Sequence, residues 1–193
     1  MDDVVNAGYK FWYLGMDLAQ VLDLASVNWQ VYVYEDAQGN LVPPGAEYAR
    51  KRLFVHTVSW MPKNRLDSHV VGDKFCYYDY LGTELQLCEA AGGDNIDINQ
   101  IYQYIKDIKE KRDIYYVTIT ADPYNVAGIE EKLADICDNF ILQNQSPKAL
   151  SQYIEALSQE FKDGNVAYCG GQEDIFEKAV TGSVMVRNTT GYY

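Results

Sequence analysis

Ile114-Tyr115-Tyr116-Val117-Thr118-Ile119-Thr120-Ala121-Asp122-Pro123-Tyr124-Asn125 is the stretch on which the fold turns. From Ile114 to Thr120 every residue is apolar, aromatic or β-branched. That run predicts a strand buried on both faces, the mark of a sheet carrying parallel strands. It runs into Ala121-Asp122-Pro123-Tyr124-Asn125, and a helix follows with Ile129, Leu133, Ile136 and Cys137 on one stripe. A carboxylate at the end of a buried strand, just before a helix, stands where α/β folds gather functional groups.

Upstream, Asp97-Ile98-Asn99-Gln100 has the pattern of a capping box. Ile98, Ile101, Tyr102, Ile105 and Ile108 then recur at helical spacing. Lys109, Lys111 and Arg112 sit at the C-terminal end, where the helix dipole favours cations. Further back lie three strands: Phe11 to Leu18, about Val27 to Glu35, and Leu53 to Trp60. Their short connections predict an antiparallel meander. Lys63 to Gly93 shows no clean period and reads as an irregular insertion with one short helix and an extra strand. Downstream, Phe140 to Leu142 is a short strand, and Ser146-Pro147 starts a helix with the apolar face Leu150, Tyr153, Ile154, Leu157 and Phe161. Asn165 to Tyr168 reads as one more short strand, and Asp174 to Val186 as a last amphipathic segment packed back on the sheet. The expected class is α/β: three antiparallel strands, then parallel strands, flanked by helices. Residues 1–10 are a lead-in, 11–188 one domain and 189–193 a polar tail.

Composition narrows the function. Lys and Arg number 16 against 28 Asp and Glu, a net charge of −12. Such a chain is not a free-standing, non-specific DNA binder, because phosphate affinity comes mainly from Lys and Arg. Hydrophobic residues make up 48%, which excludes intrinsic disorder. No apolar run approaches a membrane span, and Met1-Asp2-Asp3 does not open a secretory signal. Cys76, Cys88, Cys137 and Cys169 form no Cys-x-x-Cys pair, so neither a zinc site nor a disulfide framework is indicated. No Gly-x-x-x-x-Gly-Lys-Ser/Thr occurs, so the sequence carries no P-loop and calls for no nucleotide cofactor. A reduced, cytoplasmic location is expected.

Two acids stand out. Asp17 lies in or just past the first strand, and Asp122 just past the buried one. If those strands are neighbours, both carboxylates project at one edge. Two hard oxygen ligands there suit Mg²⁺ or Mn²⁺. Paired metals about 3.5–4 Å apart clamp the attacking and leaving oxygens of a phosphodiester. An Asp at a strand end also serves as a turn former or helix cap, and spacing does not separate the two roles. His56, mid-strand, reads as packed, and His69 near Asp67 and Asp73 fits no zinc signature. Lys63 and Arg65, after the third strand, are the first choice for DNA-backbone contacts.

A family resemblance joins these pieces. Gly15-Met16-Asp17-Leu18-Ala19 through Asp23-Leu24-Ala25-Ser26 resembles the opening nuclease motif of tailed-phage terminase large subunits. Trp60-Met61-Pro62, Gly92-Gly93-Asp94-Asn95-Ile96-Asp97, Ala121-Asp122-Pro123-Tyr124-Asn125, Gln143 to Leu157 and Val184-Met185-Val186-Arg187-Asn188 resemble later family segments, in the same order. The resemblance implies an RNase H-like fold and a metal-dependent endonuclease that cuts double-stranded phage DNA during packaging. It implies Asp17 and Asp122 as metal ligands, with Asp23 as an outer-sphere or loop-capping carboxylate. It also implies partners: a terminase ATPase domain, the small terminase subunit or the portal, and no membrane. The chain departs from the family in two ways. The third acidic ligand lies in a downstream segment not found here, and Asn188 stands where an Asp is common. The packaging motor is absent as well. A weak or inactive terminase-like module that binds other proteins is the alternative.

Overall fold

Alternation builds the centre of the sheet. In β1 (Phe11–Asp17), Trp12, Leu14 and Met16 are buried, whereas Phe11, Tyr13 and Asp17 are exposed. In β2 (Ala25–Glu35), Ala25, Val27, Trp29, Val31 and Val33 are buried and the residues between them face the other side. The computed structural model describes residues 1–18, 24–88, 94–168 and 174–183.

The remaining strands are β3 (Leu41–Val42), β4 (Arg50–Pro62), β5 (Leu85–Cys88), β6 (Tyr115–Ala121), β7 (Cys137–Leu142) and β8 (Val166–Ala167). They form one eight-stranded sheet in the order β5-β4-β2-β1-β6-β7, with β3 on β2 and β8 on β4. β1, β2 and β4 are antiparallel neighbours, as the meander predicts. β6 pairs parallel to β1, β7 to β6, and β5 and β8 to β4. The expected mixed α/β sheet is therefore present.

The helices are α1 (Asp2–Asn6), α2 (Leu66–Asp73), α3 (Ile98–Arg112), α4 (Glu130–Ala134), α5 (Pro147–Lys162) and α6 (Asp174–Gly182). α3 lays Ile101, Ile105 and Ile108 on the core. α1 adds Val4 and Val5, and α4 adds Leu133. These residues join Trp12, Trp29 and Trp60 in the main core on one face of the sheet. A smaller cluster of Met61, Leu66, Tyr77, Leu85 and Ile175 covers part of the other face. Adjacent Trp60 and Met61 in β4 belong to different clusters because successive strand residues point to opposite faces.

Several local expectations change. The lead-in contains α1, whose two valines are anchored in the core. The stripe through Ile136 and Cys137 does not stay helical: α4 stops at Ala134, and Cys137 begins β7 opposite Tyr116. From Cys137 onward, ladder pairing with β6 outweighs the helical period. The capping box is half made. Asp97 accepts from the N–H groups of Asn99 and Gln100, but the Gln100 side chain donates to the Leu87 carbonyl instead of returning to the cap. β4 is longer than Leu53 to Trp60 because Arg50–Leu53 also pair with β2. The end of the last amphipathic segment lies outside the described residues, but its Ile175 is buried. Among the described residues no helix is long and apolar enough to cross a membrane.

Candidate functional site at the sheet edge

Strand directions bring the site together. β4 runs parallel to β1, because each is antiparallel to β2. β1, β4, β5, β6 and β7 therefore all end at one edge of the sheet. Met16 pairs with Ala121, and the next positions on these neighbouring strands are Asp17 and Asp122. Strands in a sheet lie about 4.8 Å apart. Both Asp17 and Asp122 follow a buried residue, so alternation sets them on the face opposite the main core.

The two carboxylates have different surroundings. Asp17 is exposed at the end of β1 and is the cross-strand partner of Ser26. Asp122 is half-buried, and its Oδ1 accepts from the Tyr124 N–H at 3.0 Å. That bond closes an Asx turn at Pro123 and fixes the carboxylate just beyond the strand. The turn-former role and a ligand role are compatible here, since the turn uses one oxygen.

The face beside Asp17 is polar and ordered in rungs. Asp17, Ser26 and Ser59 are successive register partners across β1, β2 and β4. Ser26 Oγ and Ser59 Oγ are 2.9 Å apart. One rung down, Gly15, Asn28 and Thr57 are aligned, and Thr57 Oγ1 donates to Asn28 Oδ1 at 3.1 Å. Thr57 and Ser59 are buried. A shallow concavity of about 400 Å³ continues from there, lined by Tyr13, Gly15, Gln30, Tyr32, Thr118 and Thr120. A Cβ added at Gly15 would meet only Gln30 Nε2, at 4.0 Å, so the backbone there is open to approach.

The other sequence-selected residues fare differently. Lys63 and Arg65 occupy a 3-10 turn (Lys63–Arg65) directly after β4, on the same edge as the carboxylates. Arg65 is already engaged, its Nε 3.2 Å from the Asp94 carboxylate. His56 lies within β4, its ring 5.9 Å from that of Trp29, which fits a packing role. His69 is paired with Asp73 at 3.1 Å on α2. Burial pushes the Asp73 carboxyl up, but hydrogen bonds from His69 and Tyr77 outweigh it and hold the group below its ordinary range. Asp23 lies outside the described residues. Among the described residues no group of three His, Cys, Asp or Glu is placed to hold one ion. Two carboxylates still fit Mg²⁺ or Mn²⁺, which keep several waters and take one or two protein carboxylates.

Sequence reasoning missed Glu84. This carboxylate is 4% exposed, and its Oε2 accepts from the Ile175 N–H at 2.9 Å, at the start of α6. It lies on the far side of β4, since the Ser59 N–H donates to its backbone carbonyl. Three strand spacings, about 14 Å, then separate it from β1. It holds α6 and does not share an ion with Asp17. No pattern in the sequence marks that role, because the contact spans 91 positions.

Comparison with known proteins gives a fold. No family model matches the sequence, and no curated protein does. A crystal structure of the HK97 bacteriophage large terminase is similar, with a TM-score of 0.69 and 16% identity. The similarity covers 95% of this chain and 34% of the terminase chain, so this chain spans about a third of that protein's length. At that identity the likeness carries architecture alone: the chain has a terminase-like RNase H fold, a mixed sheet flanked by helices.

Proposed function

We propose that the chain is a metal-dependent endonuclease domain of the terminase type. It hydrolyses phosphodiester bonds of double-stranded DNA during phage genome packaging. The observation that carries this reading is the register at the sheet edge: Asp17 and Asp122 follow the last paired residues of two adjacent parallel strands. Mg²⁺ or Mn²⁺ held there supplies Lewis acidity toward the phosphodiester and its attacking water. Asp17 and Asp122 contribute the carboxylate oxygens, and the Asx turn keeps Asp122 in place. Lys63 and Arg65, directly after β4, are the proposed contacts to the DNA backbone, and Arg65 must leave Asp94 to make one. The net charge of −12 points to other chains as the source of a basic groove. A packaging ATPase domain, a small terminase subunit or a portal fills that role, in the host cytoplasm.

A second reading has its own support. Among the described residues no group of three His, Cys, Asp or Glu is placed to hold one ion, whereas the family resemblance implies three acidic ligands. On that reading the fold persists as a structural or protein-interaction module with weak cleavage or none. Purified chain, supercoiled plasmid and Mn²⁺ separate the two. Nicking that disappears in Asp17→Ala and in Asp122→Ala supports the nuclease. Intact plasmid at high protein concentration, with no thermal shift on adding Mn²⁺, supports the module.

A further inference from the structure

We infer that Ser26 and Ser59 are positioning residues that orient the Asp17 carboxylate toward a divalent cation. The inference rests on the metal-binding reading above and assigns a task to side chains that reading leaves unused. Ser59 is 2% exposed in the middle of the sheet. A hydroxyl at such a position needs a partner, because an unpaired buried polar group is costly. Its partner is Ser26 Oγ at 2.9 Å. A serine hydroxyl has one proton to give. When Ser59 donates to Ser26, the Ser26 proton is free to point the other way along the same rung. The residue in that direction is Asp17, the register partner of Ser26. An ionised carboxylate only accepts, so the hydroxyl row orders itself toward it. Directly opposed side chains on antiparallel strands have Cβ atoms about 4.5–5.5 Å apart, within reach of one hydrogen bond.

The row has a consequence for geometry. A proton donated from β2 would steady one Asp17 oxygen on the side away from β6, the strand that Asp122 follows. Groups that hydrogen-bond metal ligands from outside commonly change metal affinity by about 10–100-fold when removed. Ser26→Ala is therefore expected to weaken Mn²⁺ binding about tenfold or more. Ser26→Thr keeps the hydroxyl and Ser26→Val removes it at nearly the same shape, so the pair separates hydrogen bonding from packing.

The test is Mn²⁺ titration of the full chain without DNA, followed by electron paramagnetic resonance of free Mn²⁺ and by calorimetry. Asp17→Ala is the control for the site itself. The inference predicts tight binding by the native chain and Ser26→Thr, and about tenfold or greater loss in Ser26→Ala and Ser26→Val. Ser59→Ala should show a smaller loss in the same direction. Thermal melts of each variant establish that it is folded. If the native chain binds and Asp17→Ala does not, but Ser26→Ala and Ser26→Val bind within about twofold of native, the positioning role is refuted and the metal site survives. If the native chain binds no Mn²⁺, the metal-dependent reading falls and takes the positioning role with it.

Discussion

Tyr116→Phe removes one oxygen atom from the centre of the molecule, and its cost can be worked through atom by atom. Tyr116 is 1% exposed on β6. Its hydroxyl donates to the Ile105 carbonyl of α3 at 2.8 Å and accepts from Trp29 Nε1 on β2 at 3.1 Å. The one group therefore ties the helix to two strands. Without it the Trp29 indole N–H is left in a dry core, since Trp29 is 0% exposed. An orphaned buried donor costs about 1–3 kcal/mol. The Ile105 carbonyl keeps its place in the helical ladder, so its loss is nearer to an ordinary hydrogen bond, about 1 kcal/mol. The sum is about 3 kcal/mol. For a chain of this size each kcal/mol moves Tm by about 2–4 °C, so the expected fall is about 6–12 °C. Urea unfolding should give the lower stability with an unchanged m-value. Trp29→Phe combined with Tyr116→Phe should cost about 1 kcal/mol less than the two singles added together, because they share one bond. A loss below about 0.5 kcal/mol for Tyr116→Phe, or strict additivity in the pair, would show that the hydroxyl does not bridge helix and sheet.

Other outcomes follow from the same structure. Burial raises the phenol pKa of Tyr9, Tyr104 and Tyr116 above the ordinary value of 10.0. Groups raised in the folded state stabilise fully below their unfolded pKa, so stability should fall as pH climbs past about 10. Tyrosinate absorbance from these three at high pH should then appear together with unfolding. Asp2 moves the other way, because its hydrogen bond from Arg112 Nε at 2.6 Å holds its carboxyl below 3.8. That contribution is present above the unfolded pKa and disappears as pH falls through the folded one, so Asp2→Asn should flatten the acid limb of Tm against pH. Asp97→Ala removes the acceptor for the Asn99 and Gln100 N–H groups at the start of α3 and should cost about 1 kcal/mol by chemical denaturation. Ser146→Ala at the start of α5 should cost less, since its one cap bond is long at 3.4 Å.

The parts of the fold legible in sequence are those governed by local pattern. Alternation in Trp29, Val31 and Val33 exposed β2, and the unbroken run at Ile114 to Thr120 exposed β6. Asp97 and Ser146-Pro147 marked helix starts because a cap is chosen by its own next three residues. The sequence also singled out Asp17 and Asp122, one by one, as acids at strand ends. Short elements escaped: α1 has five residues, and β3 has two. Neither is long enough to establish a period.

What required the tertiary structure was every relation between distant strands. The parallel pairing of β1 with β6 joins residues about a hundred positions apart, and only that pairing makes Asp17 and Asp122 neighbours. The rung from Asp17 through Ser26 to Ser59 depends on the registers of β1, β2 and β4, and a one-residue slip would turn those serines to the opposite face. Glu84 at the start of α6, and the Tyr116 hydroxyl between α3 and Trp29, likewise exist only after collapse. Local propensity acts within a few residues of the chain. Register is set by the burial of whole faces and the pairing of backbone groups, which no single segment carries by itself.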